Sequence, residues 1–201
     1  MGAHHDHSHA FMEHARHVLY TVFALNFAMF LLEVWQGTQA GSTALIADSM
    51  DFLSDSASYL ITLHVLSKPL HVRARAALLK AGLMLVLALF AFAQGIHNIL
   101  TQHVPEATTM GWVALLAFFV NFTSAGLLYG TRGKDSNMES VWLCSRNDAI
   151  ANLAILIAAI LVYYTGSLWP DLAVALMMTT LGIRSAMQII RHAKKELRHD
   201  H

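Results

Sequence analysis

Charged side chains are scarce in this chain. Lysine, arginine, aspartate and glutamate make up only 13% of its 201 residues, while hydrophobic residues make up 56%. An average soluble domain carries about 25% charged residues. The shortage of charge, together with a positive mean hydropathy, excludes an ordinary soluble domain. It indicates an integral membrane protein whose surroundings are a lipid bilayer.

Cysteine is almost absent, and so is any sign of a cleavable leader. Cys144 is the single cysteine, so no disulfide can form within the chain. The first 17 residues are polar and rich in histidine, and no A-x-A site follows the first apolar run. No signal peptide is therefore predicted, and the first apolar run is expected to stay in the membrane.

Six long apolar runs follow one another along the chain. Each approaches or exceeds the roughly 20 residues that a helix needs to cross a bilayer. They predict an all-α integral membrane protein with six transmembrane helices, at 18–35, 42–66, 76–100, 111–129, 141–164 and 172–190. The expected organisation is a His-rich cytoplasmic tail at 1–17, a six-helix domain at 18–190 and a short basic tail at 191–201. Because the connections are short, sequential helices are expected to pack as antiparallel neighbours.

Basic residues occur only at alternate connections, at the two ends of the chain and in the adjoining turns of the apolar runs. They lie before the first run, at 68–80, at 132–146 and from 184 onward, whereas 101–110 and 165–169 contain neither Lys nor Arg. Cytoplasmic loops are enriched in these residues. Both the N and the C terminus are therefore predicted to be cytoplasmic.

Three aspartates interrupt the second apolar run, in the stretch IADSMDFLSD. Asp48, Asp51 and Asp55 are spaced i, i+3, i+7, so on a helix they share a sector of roughly 60°. No Lys or Arg lies near them in the sequence. A carboxylate inside a bilayer costs at least about 2 to 3 kcal/mol and usually faces a bundle interior or a water-filled path. Three on one face predict a cationic ligand; for any one of them, the alternative is a helix cap or a hydrogen bond to a neighbouring helix.

A second set of ligand-type side chains lies in the fifth run. Cys144 and Asp148 are four residues apart, so they stack on one side of a helix about 6 Å apart along its axis. Helix rise puts Asp51 and Asp55 roughly 13 to 20 Å below the outer surface, and Cys144 and Asp148 roughly 8 to 14 Å above the inner one. These depths overlap in a hydrocarbon core of about 30 Å. The two helices can therefore form a four-ligand metal site, the alternative for the thiol being a small buried apolar residue.

The ligand types restrict the metal. Oxygen and sulfur ligands in a set of four suit Zn²⁺ first and Cd²⁺ next, because of the thiolate, and leave other divalent transition metals open. Mg²⁺ and Ca²⁺ prefer shells of six or more oxygens. The ligands must lose protons to bind metal, so H⁺ is the expected counter-ion. We expect neither a prosthetic group nor catalytic residues, so the chain is not predicted to be an enzyme, and we expect no nucleic-acid partner.

Further polar residues are placed where they could line a path or capture metal. In the apolar runs or at their start they are Asn26, Glu33, Asn121, Asn152 and Asp171. Interhelical hydrogen bonds are the alternative for each of them. At the predicted cytoplasmic end, clustered imidazoles can bind zinc loosely, the alternative being a solvated tail; these are His4, His5, His7, His9, His14 and His17.

Three segments resemble one known family. LLEVWQGTQAGSTALIADSMDFLSDSAS, at 31–58, is similar to the first and second helices of the cation diffusion facilitator family. FVNFTSAGLL, at 119–128, is similar to its fourth helix, and NDAIANLAILIAAILVYYTGSLWPDLAVALMM, at 147–178, to its fifth and sixth. The resemblance covers nearly the whole membrane part of the chain.

The resemblance implies metal export in exchange for protons, usually by homodimers. It matches Asp51 and Asp55 to the paired ligands of the second helix and Asp48 to an acidic residue just ahead of them. It matches Cys144 and Asp148 to the ligands of the fifth helix, although the family most often has His or Asp where Cys144 stands. The cytoplasmic domain that usually follows the sixth helix has no counterpart in this sequence.

Three functions are compatible with these observations. We expect a proton-coupled zinc or cadmium antiporter with alternating access, forming a homodimer in a bacterial inner membrane. A non-transporting metal sensor, or a heteromeric partner of a full-length transporter, would keep the fold without needing all four ligands. A channel would use rings of weak sites in a continuous pore, whereas one deep site suits alternating access.

Overall fold

The computed structural model describes residues 3–65, 70–130 and 136–199, leaving out the side chains at 3–15, 136–141 and a few positions at segment ends (65, 70, 73, 196, 198 and 199). The described chain is helical throughout apart from its connections. Its elements are α1 (Ala3–Ala40), α2 (Thr43–Leu60) with a π-helical continuation (Ile61–Val65), α3 (Leu70–Thr101), α4 (Ala107–Tyr129), α5 (Ser136–Thr165) and α6 (Trp169–His199). Each predicted span falls on one of these helices. The prediction of an all-α membrane protein is confirmed.

One helix differs from the other five. α1, α3, α4, α5 and α6 each contain a stretch long and apolar enough to cross a membrane. α2 is not among them, since its 18 residues include three aspartates. It is instead enclosed by protein, because it packs against each of the other five helices and every residue from Thr43 to Met50 is buried. α2 is therefore the central helix of the bundle.

The other helices surround α2 in an order that differs from the chain order. α1, α4, α5, α6 and α3 follow one another around it. Sequential helices pack together as expected except for α3 and α4, for which the expectation was wrong. The connection 102–106 crosses the α1–α2 turn, where the Glu106 amide donates to the Ala40 carbonyl at 2.9 Å. α4 therefore packs against α1 and α5, while α3 packs against α6.

We call the end of the bundle that carries residues 40–43, 101–107 and 165–169 the outer end, following the orientation predicted from the basic residues. At this end Gly41 forms the turn with a φ of 66°, a conformation that glycine adopts without steric cost. A Cβ at Gly41 would overlap the ring of His103. Asn98 donates to the Gly41 carbonyl at 2.6 Å and to the Thr43 hydroxyl at 3.2 Å. The start of α2 is thereby held by α3 and by the connection that follows it.

Candidate metal site

The acidic face predicted for α2 lies inside the bundle. Asp48 has no exposed surface and Asp55 is 5% exposed, while Asp51 is partly buried. The reason is the helical period, which puts the three side chains on one face, and the central position of α2. Three carboxyl groups are thus held within protein at successive depths.

A hydrogen-bond chain joins α2 to α5 next to the predicted ligands. The Tyr59 hydroxyl donates to Asp55 Oδ2 at 2.9 Å, and its oxygen lies 2.8 Å from the Ser145 hydroxyl. Tyr59 is fully buried, as is Ser145. Sequence reasoning missed both residues, although Tyr59 is four residues after Asp55 and Ser145 adjoins Cys144. The chain brings the Asp55 carboxylate to the helix that carries Cys144 and Asp148.

Asp148 and Cys144 lie within electrostatic range of the α2 carboxylates. The charges of Asp55, Asp51 and Asp48 act on Asp148, and Cys144 interacts with Asp55, Asp148 and Asp51. Asp148 is partly buried. Cys144 is exposed in the bundle. The thiol therefore marks the accessible edge of this group of charges.

The four predicted ligands do not form a closed coordination shell. Among the residues that the structure describes, no three His, Cys, Asp or Glu side chains are close enough to hold a metal ion. The two helices carry carboxylate and thiol groups, which are donors that divalent transition metals accept. Movement of side chains, or of α2 relative to α5, is needed to bring these donors into contact with a single ion.

A basic residue from a neighbouring helix lies beside the acidic face. No Lys or Arg is near the three aspartates in the chain, but the Lys80 ammonium on α3 acts on Asp55, Cys144 and Asp51. The cation beside these aspartates therefore comes from another helix. The packing of α3 against α2 brings Lys80 close to residues of the preceding helix that are more than 20 positions earlier in the chain.

Glu33 and Asp48 form a buried pair closer to the outer end. Both have no exposed surface, and their carboxyl groups interact across α1 and α2. None of their four oxygens has a donor among the described residues. Ionised carboxylates only accept hydrogen bonds. The two carboxyl groups can therefore bind to each other only through a shared proton or another cation.

The buried asparagines have unused hydrogen-bonding capacity as well. Asn26 donates to the Val22 carbonyl at 2.8 Å and to the Ser124 hydroxyl at 3.2 Å, but its Oδ1 has no described partner. The same is true of Asn121 Oδ1 and of both side-chain polar atoms of Asn152. Buried amide groups are normally satisfied. Unsatisfied groups at three positions indicate sites for water or a ligand inside the bundle.

Asp171 has a different environment. It lies in the first turn of α6 and has no exposed surface. Its carboxylate accepts from the Ser42 hydroxyl at 2.6 Å and from the Thr43 and Ala44 amides at 2.8 and 3.1 Å. Free amides at the start of a helix are the groups that a cap satisfies. Asp171 therefore caps α2 from a neighbouring helix.

Most of the histidines predicted to capture metal have side chains outside the described residues. The side chains of His4, His5, His7, His9 and His14 are outside the described residues, and His17 is exposed on α1. Metal capture by this segment stays a prediction.

Comparison with known proteins identifies the family. The family model of the cation efflux transmembrane domain matches residues 71–198. The chain belongs to the cation efflux family. Membership agrees with the resemblance to cation diffusion facilitators and with the six-helix bundle.

Curated cation efflux proteins match over most of this chain. The zinc transporter ZitB of Escherichia coli is 26% identical over 211 residues, covering 96% of this chain and 67% of its own length. A cadmium, cobalt and zinc/H(+)-K(+) antiporter of Bacillus velezensis is 24% identical, with coverages of 93% and 64%. The metal cation efflux system protein CzcD of Cupriavidus metallidurans is 25% identical, with coverages of 89% and 60%. The chain thus spans about two thirds of the length of these relatives.

Proposed function

We propose that this protein exports divalent transition-metal ions, zinc or cadmium, in exchange for protons. The metal is held by Asp51, Asp55, Cys144 and Asp148, and alternating access exposes this site to either side of the membrane. The names of the relatives, which include zinc transporters and a cadmium, cobalt and zinc antiporter, support this choice of substrate. The transporter works as a homodimer in a bacterial inner membrane.

The observation that carries the proposal is the acidic face of the central helix. α2 is unsuited to lipid, yet it is kept in the middle of the bundle with Asp48 and Asp55 buried. Its carboxylates act electrostatically on Asp148 of α5. Buried anions of this kind are tolerated only when they are neutralised. A transported dication is the neutralising charge that a cation efflux protein supplies.

Proton exchange follows from the ligand chemistry. Carboxylates and thiolates must be deprotonated to bind a metal ion, so metal and protons compete for the same atoms. If the site opens to the two sides in turn, metal leaves where protons enter. Metal affinity is accordingly expected to fall as the pH falls, by up to about tenfold per pH unit for each proton displaced.

Buried polar groups beside the site support a path for the ion or its counter-ions. Glu33 and Asp48 continue the polar face towards the outer end, and Asn26, Asn121 and Asn152 offer unsatisfied groups within the bundle. These atoms hold water or a passing cation in the proposed transport cycle. The His-rich N-terminal segment captures metal on the inner side.

Transport into sealed proteoliposomes tests the proposal. Vesicles containing a metal-sensitive dye carry the native chain, Asp55→Asn or Glu106→Gln, and receive Zn²⁺ or Cd²⁺ with and without an imposed pH gradient. Glu106 is an exposed carboxylate at the outer end and serves as the matched control. We expect uptake that follows the gradient in the native chain and in Glu106→Gln, and uptake below a tenth of the native rate in Asp55→Asn.

Other results would assign the protein to one of the rival functions. Tight metal binding without flux in the native chain would contradict transport and support a sensor or a heteromeric partner. Flux that needs no proton gradient and does not saturate would support a channel.

A further inference from the structure

Lys80 lies within a membrane-spanning stretch of α3, and the proposed ligand set does not use it. It lies ten residues after the start of α3, about 15 Å along the helix. A lysine near a helix end normally extends its ammonium group to the interface. Lys80 is instead partly buried and turns towards α2.

A hydroxyl group on the acidic face of α2 holds the ammonium. Lys80 Nζ donates to Ser58 Oγ at 2.7 Å. Ser58 in turn donates to the Ser54 carbonyl at 2.9 Å, so its oxygen lone pairs are free to accept from the lysine. Ser58 follows Asp55 by three residues and Asp51 by seven, which places all three on one side of α2.

The charge on Lys80 reaches three of the four proposed ligands. It acts on Asp55, Cys144 and Asp51, and the hydrogen bond to Ser58 fixes its position on the side of α2 that carries Asp51 and Asp55. The lysine therefore lies beside the proposed site. Lys80 is held by a hydrogen bond to a neutral hydroxyl. It therefore lies beside the site and does not take the place of a metal ligand.

We propose that Lys80 is a tethered competitor of the metal ion. Its ammonium neutralises part of the ligand charge when no metal is bound, and it repels the dication when one is bound. The affinity of the site is thereby lowered, and release of the metal is accelerated. A unit positive charge beside the site, in partly desolvated surroundings, is expected to raise the Kd of a dication about tenfold or more. This inference rests on the proposed metal site.

Titration calorimetry of the purified full chain with Cd²⁺ at a fixed neutral pH tests the competitor. Lys80→Met removes the charge and keeps a long apolar stem, whereas Lys80→Arg keeps the charge. Lys195→Met is the matched control, because Lys195 is an exposed lysine near the end of α6. We expect Lys80→Met to bind Cd²⁺ about tenfold more tightly, and Lys80→Arg and Lys195→Met to stay within about threefold of the native Kd.

Transport kinetics separate competition from a merely structural role. Tighter binding with slower release should lower both the KM and the maximal rate of Lys80→Met in proteoliposomes, whereas a loss of structure would lower the maximal rate alone. Lys80→Gln, a second neutral variant, provides the same test if Lys80→Met fails to fold. Unchanged or weaker Cd²⁺ binding by the neutral variant, beside normal binding by the native chain, would overturn the inference and leave the metal site standing. No Cd²⁺ or Zn²⁺ binding by the native chain would overturn the site and the inference together.

Discussion

Asp171 and Asp48 are both aspartates without exposed surface in the same bundle, but their surroundings are opposite. Asp171, at the outer end of α2, accepts from one hydroxyl and two backbone amides. Asp48, in the second turn of α2, has Glu33 opposite it and no donor among the described residues. Burial is the same, so burial does not distinguish them.

The difference lies in what neutralises each charge. The amides at the start of α2 stabilise the carboxylate of Asp171 permanently, because backbone donors and the positive end of a helix favour an anion. Nothing permanent does so for the Glu33–Asp48 pair. Fixed hydrogen bonds thus stabilise the start of α2. The Glu33–Asp48 pair, further along the helix, needs an exchangeable proton or cation instead. Four substitutions test this division.

The largest effect is expected from the middle of the bundle. Asp148→Asn removes a charged ligand from the proposed site, so metal export should fall about 100-fold or more, since loss of even a supporting group at a metal site costs up to about 100-fold. Uptake of Zn²⁺ into dye-loaded vesicles measures it. The temperature of thermal unfolding should be unchanged or higher, because the variant no longer buries an acidic group. Export above half the native rate would exclude Asp148 from the site.

The next largest effect is expected from the outer end. Asp171→Ala leaves the Thr43 and Ala44 amides without an acceptor, and each buried unsatisfied donor costs about 1 to 3 kcal/mol. We expect the free energy of unfolding to fall by roughly 2 to 4 kcal/mol, as measured by denaturant titration in detergent. The export rate per folded molecule should be preserved. A stable Asp171→Ala protein that fails to export would move Asp171 to the transport path.

A smaller effect, on selectivity, is expected at the accessible edge of the site. Cys144→His replaces a soft thiolate by an imidazole. The thiolate favours the softer cadmium ion, whereas the imidazole favours zinc. We expect the ratio of cadmium to zinc export to fall by about tenfold, or roughly 1.4 kcal/mol. Competition between the two metals in the vesicle assay gives the ratio. An unchanged ratio would show that the thiol does not contact the ion.

The smallest effect concerns the unpartnered pair. Glu33→Gln supplies an amide donor to Asp48 and removes one buried acid, so the free energy of unfolding should rise by about 1 kcal/mol. Export should be slowed if the pair carries charge along the path. Asn121→Asp, which adds an acid elsewhere in the bundle, is the contrasting variant and should destabilise it. Loss of stability in Glu33→Gln would mean that Glu33 has a permanent partner, as Asp171 does.

Much of the architecture could be predicted because it depends on properties within single helices. Apolar runs of sufficient length identify six helices, and the helical period identifies which side chains share a face. Asp51, Asp55, Cys144 and Asp148 were predicted as a set from spacing and depth alone. Their role as metal ligands stays a prediction.

Relations between helices could not be predicted in the same way. Nothing in the sequence indicates that Lys80 reaches Ser58, that Tyr59 joins Asp55 to Ser145, or that Asp171 caps a helix more than 120 residues earlier. The short 102–106 connection suggested that α3 packs on α4, but it crosses the α1–α2 turn instead.

The sequence by itself determined that this is a six-helix membrane protein with acids where lipid would exclude them, because length, hydropathy and helical period are local properties. The tertiary structure decided which of those acids are satisfied and which are not. Asp171 and Asp48 read alike in the chain, and only the packing of α6 and α1 around α2 gives one of them donors and leaves the other facing Glu33. Neighbours across helices are set by side-chain packing over the whole bundle, which no single segment of sequence contains.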